Sequence, residues 1–195
     1  MLPTLIIFAY LIGSVSTAII VCRIMNLPDP RTQGSKNPGA TNVLRIAGKK
    51  AAAVVLIGDG LKGVIPVLLA MLVLPDIELF NLCLIALAAF LGHVYPIFFK
   101  FQGGKGVATF IGALITINLW AGLGFILTWL FVAKVLKISS LSALVATLLT
   151  PVYFYYTTQD LDATYAIVVI CVWIFITHRS NIKRLLSGEE GVIKS

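Results

Sequence analysis

The 195-residue sequence predicts an all-α integral membrane protein with seven transmembrane helices, its N-terminus outside and its C-terminus cytoplasmic. Three observations carry that prediction. First, 59% of the residues are apolar, only 12% are charged and mean hydropathy is +1.00, which leaves too little polar surface to cover a water-soluble globule. Second, the apolar residues fall in runs of transmembrane length. At about 20 residues per span the chain holds roughly six to eight of them and no separate soluble domain, so 1–195 reads as a single membrane-embedded domain. Third, the basic residues alternate between connections in a way that fixes the side each one faces.

The first run, 3 to 23, has no basic segment before it and no small-residue cleavage site near its end, so it is expected to remain as a span. Runs 51 to 74 and 79 to 99 supply the second and third. Run 106 to 133 is too long for one: its 28 residues would make a helix of about 42 Å against a hydrocarbon core of about 30 Å. Asn118 to Gly124 put a polar residue, a tryptophan and two glycines midway, so this run is expected to fold as a hairpin of two spans. Runs 140 to 157 and 163 to 177 complete the seven. Every Lys and Arg except Lys62 then lies on one side: Arg23, Arg31, Lys36, Arg45, Lys49 and Lys50; Lys100 and Lys105; Lys134 and Lys137; Arg179, Lys183, Arg184 and Lys194. The opposite connections carry Asp76, Glu78, Asp160 and Asp162 and no cation, and the positive-inside rule puts the basic side in the cytoplasm. Six spans would break this pattern. The net charge of +7 is thus gathered on one face, where topology alone accounts for it or where it also draws anionic ligands and lipid headgroups. Cys22, Cys83 and Cys171 lie in apolar runs at unrelated spacings and read as small core residues rather than as a disulfide or metal set.

Three polar segments interrupt the cytoplasmic side. In Thr32-Gln-Gly-Ser-Lys-Asn-Pro-Gly-Ala-Thr-Asn-Val-Leu-Arg45, Gly34, Pro38 and Gly39 break regular structure, Ser35 and Asn37 offer short polar groups, and Gly39-Ala-Thr-Asn42 reads as a helix start. Arg45 would follow about two turns in. Free N–H groups beside a hydroxyl and a guanidinium suit a phosphate; an ordinary capped turn with topogenic cations fits as well. In Gly92-His-Val-Tyr-Pro-Ile-Phe-Phe-Lys-Phe-Gln-Gly-Gly-Lys-Gly-Val-Ala-Thr109, Gly103, Gly104 and Gly106 surround Lys105 just before an apolar helix. A cation at a helix N-terminus is unfavourable unless an anion joins it, although a glycine-rich hinge is the plain alternative. The spacing is not that of an ATP-binding P-loop. Tyr95 to Phe101 suits the headgroup level beside an acyl chain. In the third segment, Thr177 to Glu190, His178 and Asn181 share a helical face while Ile182, Leu185 and Leu186 pack back on the bundle; a stop-transfer flank with a short amphipathic tail fits equally.

Within the second span, Asp59 and Lys62 stand three residues apart and are expected to pair with each other or with the basic cluster, in a structural role rather than as a proton relay. Neither His93 nor His178 is followed by an acidic residue five places on. No nucleophile elbow and no metalloprotease motif is present, so no conventional nucleophile presents itself.

These segments resemble the motifs of the PlsY family of bacterial membrane acyltransferases. The matching stretches are Gly34 to Arg45, Gly92-His-Val-Tyr-Pro96 with Gly103 to Thr109, and His178-Arg-Ser-Asn181 with Arg184 to Glu190, in order and over essentially the whole chain. Lys36 stands where the family's first motif has glycine. The resemblance implies transfer of a fatty acyl group from acyl phosphate, rather than from acyl-CoA or acyl carrier protein, to the sn-1 hydroxyl of glycerol-3-phosphate. Lysophosphatidate and phosphate would form without a covalent acyl-enzyme, as the first acylation of bacterial phospholipid synthesis. It implies Ser35, Arg45, Lys105, His178 and Asn181 as catalytic residues, with Asn37, Gly39, Thr41, Asn42, Gly103, Gly104, Gly106, Ser139 and Ser142 binding substrate. Asp59, Lys62 and Glu190 would be structural, Glu190 ordering the tail through a basic residue. It further implies no metal or organic cofactor and no nucleic acid. The partners would be membrane lipid and the soluble enzyme that makes acyl phosphate, around a monomer in the bacterial inner membrane with its site facing the cytoplasm. A carrier or channel for an anionic solute, using Asp59 and Lys62, is the rival; it would want polar groups toward both faces and a repeat.

Overall fold

The computed structural model describes residues 1–193; Lys194, counted above with the last basic cluster, and Ser195 lie outside the described residues. Regular structure among the described residues is entirely helical: α1 (Leu2–Gly13), α2 (Thr17–Ile24), α3 (Ala40–Val73), α4 (Leu79–Val94), a 3-10 turn (Ile97–Phe99), α5 (Val107–Ile117), α6 (Leu119–Leu136), α7 (Ser139–Thr158), α8 (Leu161–Thr177) and α9 (Arg179–Leu186).

The hairpin expected in the fourth run forms at Asn118. Its backbone leaves the helical region (φ −147°, ψ 104°) and its side chain accepts the Ala121 N–H at 2.8 Å, ending α5 and capping α6 in one residue. Two other runs differ from the sequence reading. Run 3 to 23 is broken between α1 and α2 at Ser14 to Ser16, where Ser14 Oγ returns to the Tyr10 carbonyl at 2.8 Å and diverts the ladder. Run 51 to 74 belongs to the longer α3, which begins at Ala40 and is kinked at Gly48, whose φ of 81° only glycine adopts without strain. The first eight residues of α3 thus form a short separate helix that carries Thr41, Asn42 and Arg45.

By length and composition, four segments can cross a membrane: Leu2–Ile24, Ala40–Val73, Leu79–Phe99 and Leu119–Leu136. The pair α8 and α9, bent by 59° at His178, makes a fifth if taken as one. α5 is apolar but has only 11 residues. One large core runs through the bundle around Phe90, Phe110, Phe125, Phe154, Ile167 and Ile170. Outward-facing Ile57, Leu72, Leu127 and Phe131 are more than 60% exposed, a surface suited to lipid tails. Small residues let the backbones close up: a Cβ on Gly112 would stand 2.1 Å from the Gly60 carbonyl, and one on Gly63 would stand 2.0 Å from that of Thr109, so α3 and α5 touch backbone to backbone.

Candidate active site

At one end of the bundle the three polar segments meet in a cleft of about 210 Å³. It is lined by Ser35, Lys36, Asn37, Lys105, Thr177, Arg179, Ser180 and Arg184, four of them cationic. The first segment is held open by Asn42, which is 1% exposed. Its Oδ1 accepts the Ser35 N–H at 2.8 Å, and its Nδ2 donates to the carbonyls of Pro30 at 2.9 Å and Gln33 at 3.0 Å. Both amide hydrogens are spent on the loop, so Asn42, expected from the motif to touch substrate, shapes the turn that presents Ser35. Lys36 adopts φ 59°, the left-handed conformation that the family glycine would take without strain.

The second segment wraps the end of α4. A Cβ on Gly103 would meet the His93 carbonyl at 2.0 Å, and one on Gly104 would meet His93 Nε2 at 2.2 Å; Gly106, at φ 84°, would drive one into the Phe90 ring at 2.0 Å. The three glycines are what allow Lys105 to enter the cleft at that height. Its ammonium donates to Asn181 Oδ1, and Thr177 Oγ1 donates to its carbonyl at 3.2 Å.

The third segment provides the buried wall. His178 and Asn181 are 3% and 5% exposed at the bend between α8 and α9. His178 Nδ1 lies 2.8 Å from the Ile174 carbonyl, which can only accept, so the ring proton sits on Nδ1 and Nε2 keeps its lone pair. Burial and the Lys105 charge push the His178 pKa down to about 4, against smaller upward effects of the Ile174 bond and Glu190. Lys105 is itself lowered to about 8, chiefly by burial; Glu190 opposes the fall while Arg184 and Arg45 add to it.

Glu190 ties this wall to the rest. Oε1 accepts from Ser140 Oγ at 2.7 Å and from Asn181 Nδ2 at 2.6 Å, and Oε2 pairs with Arg184 Nε at 2.6 Å. Burial raises its pKa, but the three hydrogen bonds and the Arg184 charge outweigh that and hold the carboxyl below its usual range. The tail continues across the α6–α7 turn, where the Ile193 N–H donates to the Lys137 carbonyl at 2.6 Å.

Of the remaining expected residues, Gly39 caps the start of α3, and Thr41 Oγ1 lies 3.5 Å from Ser139 Oγ. Ser142 is buried with its hydroxyl turned back to the Ile138 carbonyl at 2.8 Å. Neither Ser139 nor Ser142 lines the cleft. The serine that joins the network is Ser140, between them, with Arg184 at the other end of the carboxylate. Glu190's need for partners was the one sequence signal for either. Arg45 is exposed outside the cleft, its Nη2 3.5 Å from where a Gly191 side chain would begin. Asp59 and Lys62 pair as expected, at 2.8 Å. Among the described residues, the polar groups with no protein hydrogen-bond partner at this end include Ser35 Oγ, His178 Nε2 and the Arg45 guanidinium, and Lys105 retains two further N–H donors.

Fold and site together define a polytopic helical membrane protein with a cation-lined polar cleft at one end of its bundle. The sequence model of the family described as glycerol-3-phosphate acyltransferase matches residues 3–188, and the chain belongs to that family. Relatives named glycerol-3-phosphate acyltransferase include one from Ruthia magnifica, 66% identical over 97% of this chain and 95% of its own length. Another, from Thioalkalivibrio sulfidiphilus, is 54% identical over 95% and 91%. The crystal structure of PlsY, an integral membrane glycerol 3-phosphate acyltransferase, superposes in its glycerol 3-phosphate form with a TM-score of 0.93 at 36% identity, covering 99% of this chain and 96% of that one. The lysophosphatidic acid form gives 0.91 at 35% identity, over 99% and 95%.

Proposed function

We propose that this protein transfers a fatty acyl group from acyl phosphate to the sn-1 hydroxyl of glycerol-3-phosphate, releasing lysophosphatidate and inorganic phosphate. The observation that supports this reading is which polar groups are left for a ligand: the Ser35 hydroxyl and the two remaining N–H donors of Lys105 belong to one cation-lined cleft, with His178 buried beside Lys105, and no nucleophile–base pair accompanies them among the described residues. Acyl phosphate is a mixed anhydride with a good leaving group, so direct attack needs no acyl-enzyme. The acceptor oxygen forms a bond to the acyl carbon, the bond from that carbon to the bridging phosphate oxygen breaks, and phosphate leaves with the electron pair. Holding the two substrates in line can supply about 7–11 kcal/mol in favourable cases. Lys105, Arg45 and Ser35 bind the phosphates and stabilise the developing oxyanion. The acceptor's proton passes to a phosphate oxygen of the substrates, because a buried His178 flanked by Lys105 is a weak base at neutral pH.

In this reading the bundle crosses the bacterial inner membrane seven times with the cleft on the cytoplasmic side, where the fourteen like-placed cations lie. Its partners are membrane lipid and the soluble enzyme that supplies acyl phosphate, and it acts as a monomer. The test is lysophosphatidate formation by the purified protein with acyl phosphate, acyl-CoA and acyl carrier protein compared as donors. Turnover with acyl phosphate alone is expected; equal turnover with acyl-CoA would overturn the donor assignment. A reporter inserted at Asp160 should read external, and a cytoplasmic reading would overturn the seven-span arrangement.

A further inference from the structure

A second cluster of ionisable groups lies deeper in the bundle, outside the cleft. Asp59 and Lys62, one turn apart on α3, and His93, at the end of α4, are 2%, 5% and 6% exposed. Lys62 Nζ lies 2.8 Å from Asp59 Oδ1, 3.1 Å from His93 Nδ1 and 2.8 Å from the Val15 carbonyl at the break between α1 and α2. Asp59 Oδ1 makes no directed hydrogen bond, so its hold on Lys62 is a contact of charges. An ammonium offers only donors; His93 Nδ1 is therefore the acceptor, and the ring proton sits on Nε2.

Nε2 is the face of the ring turned toward the glycine loop: a Cβ on Gly104 would stand 2.2 Å from it and 3.2 Å from the Pro38 carbonyl of the first segment. The His93 main-chain carbonyl also accepts the Gly104 N–H at 3.1 Å. Beyond the loop, Thr109 Oγ1 in the first turn of α5 donates to the Asp59 main-chain oxygen at 2.9 Å. The stretch that bears Lys105 is anchored before it to His93 on α4, which itself contacts Lys62, and after it to the turn of α3 that carries Asp59. Apolar side chains of similar volume would hold these helices together without the desolvation cost of buried charges, so packing alone does not account for the cluster. What the charges add is one fixed register between α3, α4 and the α1–α2 break.

We propose that Asp59, Lys62 and His93 form a buried strut that sets Gly104, and through it the Lys105 ammonium, against Asn181 and the cleft. They are positioning residues, since none lines the cleft. The proposal rests on the functional reading only in taking Lys105 as a phosphate ligand. A displacement of about 1 Å at such a ligand can cost on the order of a hundredfold.

The test uses the purified full-length protein and the variants Lys62→Met, the charge-neutral pair Asp59→Asn with Lys62→Met, and His93→Asn, which keeps an acceptor for Lys62 but withdraws the ring from Gly104. Tyr153→Phe, which removes the 2.9 Å contact to Thr128 between α6 and α7, is the control for loss of a half-buried polar contact between helices elsewhere. Folded strut variants should raise the KM of a phosphate substrate about tenfold to a hundredfold with kcat far less changed, and the control should not. Calorimetric binding of glycerol-3-phosphate should weaken in parallel. Should Lys62→Met fail to insert, the paired variant and His93→Asn carry the same comparison. Unchanged KM and binding in a folded strut variant, or equal effects in Tyr153→Phe, would overturn the strut. A wild-type protein that binds glycerol-3-phosphate but transfers no acyl group from any donor would overturn the functional reading instead.

Discussion

The Lys105 ammonium and the Glu190 carboxylate face each other across one amide, that of Asn181, and this makes the alkaline limb of the pH profile a gauge of the site. Asn181 Nδ2 is 2.6 Å from Glu190 Oε1 and its Oδ1 takes the Lys105 bond, so the two charges stand at most about 7 Å apart, one hydrogen bond on each side of an amide. Lys105 is lowered to about 8, chiefly by burial, and Glu190 is the neighbour that opposes the fall. In Glu190→Gln that support is lost, and the ammonium becomes easier to deprotonate. Coulomb's law over about 7 Å, between water and an effective dielectric of about 20, makes the change worth roughly 0.5 to 1.7 pH units. Activity that needs a charged Lys105 is present below its pKa and lost above it, so the alkaline limb of kcat/KM should move from near 8 toward about 7. Arg184→Gln removes a cation that lowers Lys105 and should move the limb upward. In Lys105→Arg, if active, it should vanish, since a guanidinium stays charged throughout. The assay is initial-rate lysophosphatidate formation over roughly pH 6 to 9, with spontaneous hydrolysis of the donor subtracted and melting temperatures measured in parallel. A Glu190→Gln enzyme of normal melting temperature whose limb stays in place or moves upward would refute the assignment of that limb to Lys105.

Arg45→Ala and Lys105→Ala should each lose most activity while the protein still inserts, and Arg45→Lys should be impaired if the guanidinium grips phosphate with two N–H groups; near-normal kcat/KM in any of them removes that residue from the site. His178→Gln should retain measurable kcat and the acidic limb of the profile, with the loss appearing in the KM for glycerol-3-phosphate. Abolished kcat that recovers with added imidazole would instead make His178 the base. Gly106→Ala carries a left-handed strain of about 1–2 kcal/mol and an overpacking cost of about 1–3 kcal/mol against the Phe90 ring. Its melting temperature should fall and Phe90→Leu should restore part of it; an unshifted melting temperature would mean that the loop has room to spare.

Where the sequence was legible, a physical constraint acted over a short stretch. The hairpin at Asn118 could be foreseen because a 28-residue apolar run exceeds the bilayer and a polar residue sits at its middle. The three polar segments stood out because each is an island in an apolar chain. The break at Ser14 to Ser16 could not be foreseen, since a serine in an apolar run serves equally well inside a helix with its hydroxyl bonded back one turn, as Thr150 does in α7 at 2.8 Å from the Ala146 carbonyl. Nor could the Ser140 partner of Glu190 or the His93 partner of Lys62, 50 and 31 positions away, distances that only the packing of helices closes.

Asn42 and Ser142 mark a second limit. Their residue types suit a phosphate as well as Ser35 does, and sequence reports only that a polar atom exists, whereas its use depends on whether a nearer partner already holds it. Asn42 spends both amide hydrogens on Pro30 and Gln33, and Ser142 gives its hydrogen to Ile138; Ser35, fixed by its N–H to Asn42, lines the cleft with its hydroxyl in no protein hydrogen bond among the described residues. The division recurs in the other segments. His93 spends its accepting nitrogen on Lys62 and its carbonyl on Gly104, whereas His178 spends its proton on Ile174 and keeps a lone pair. On the proposed function, a site that holds two phosphates rather than forming a bond to its substrate needs both populations: satisfied groups to make the geometry rigid, and others left free for a ligand to complete.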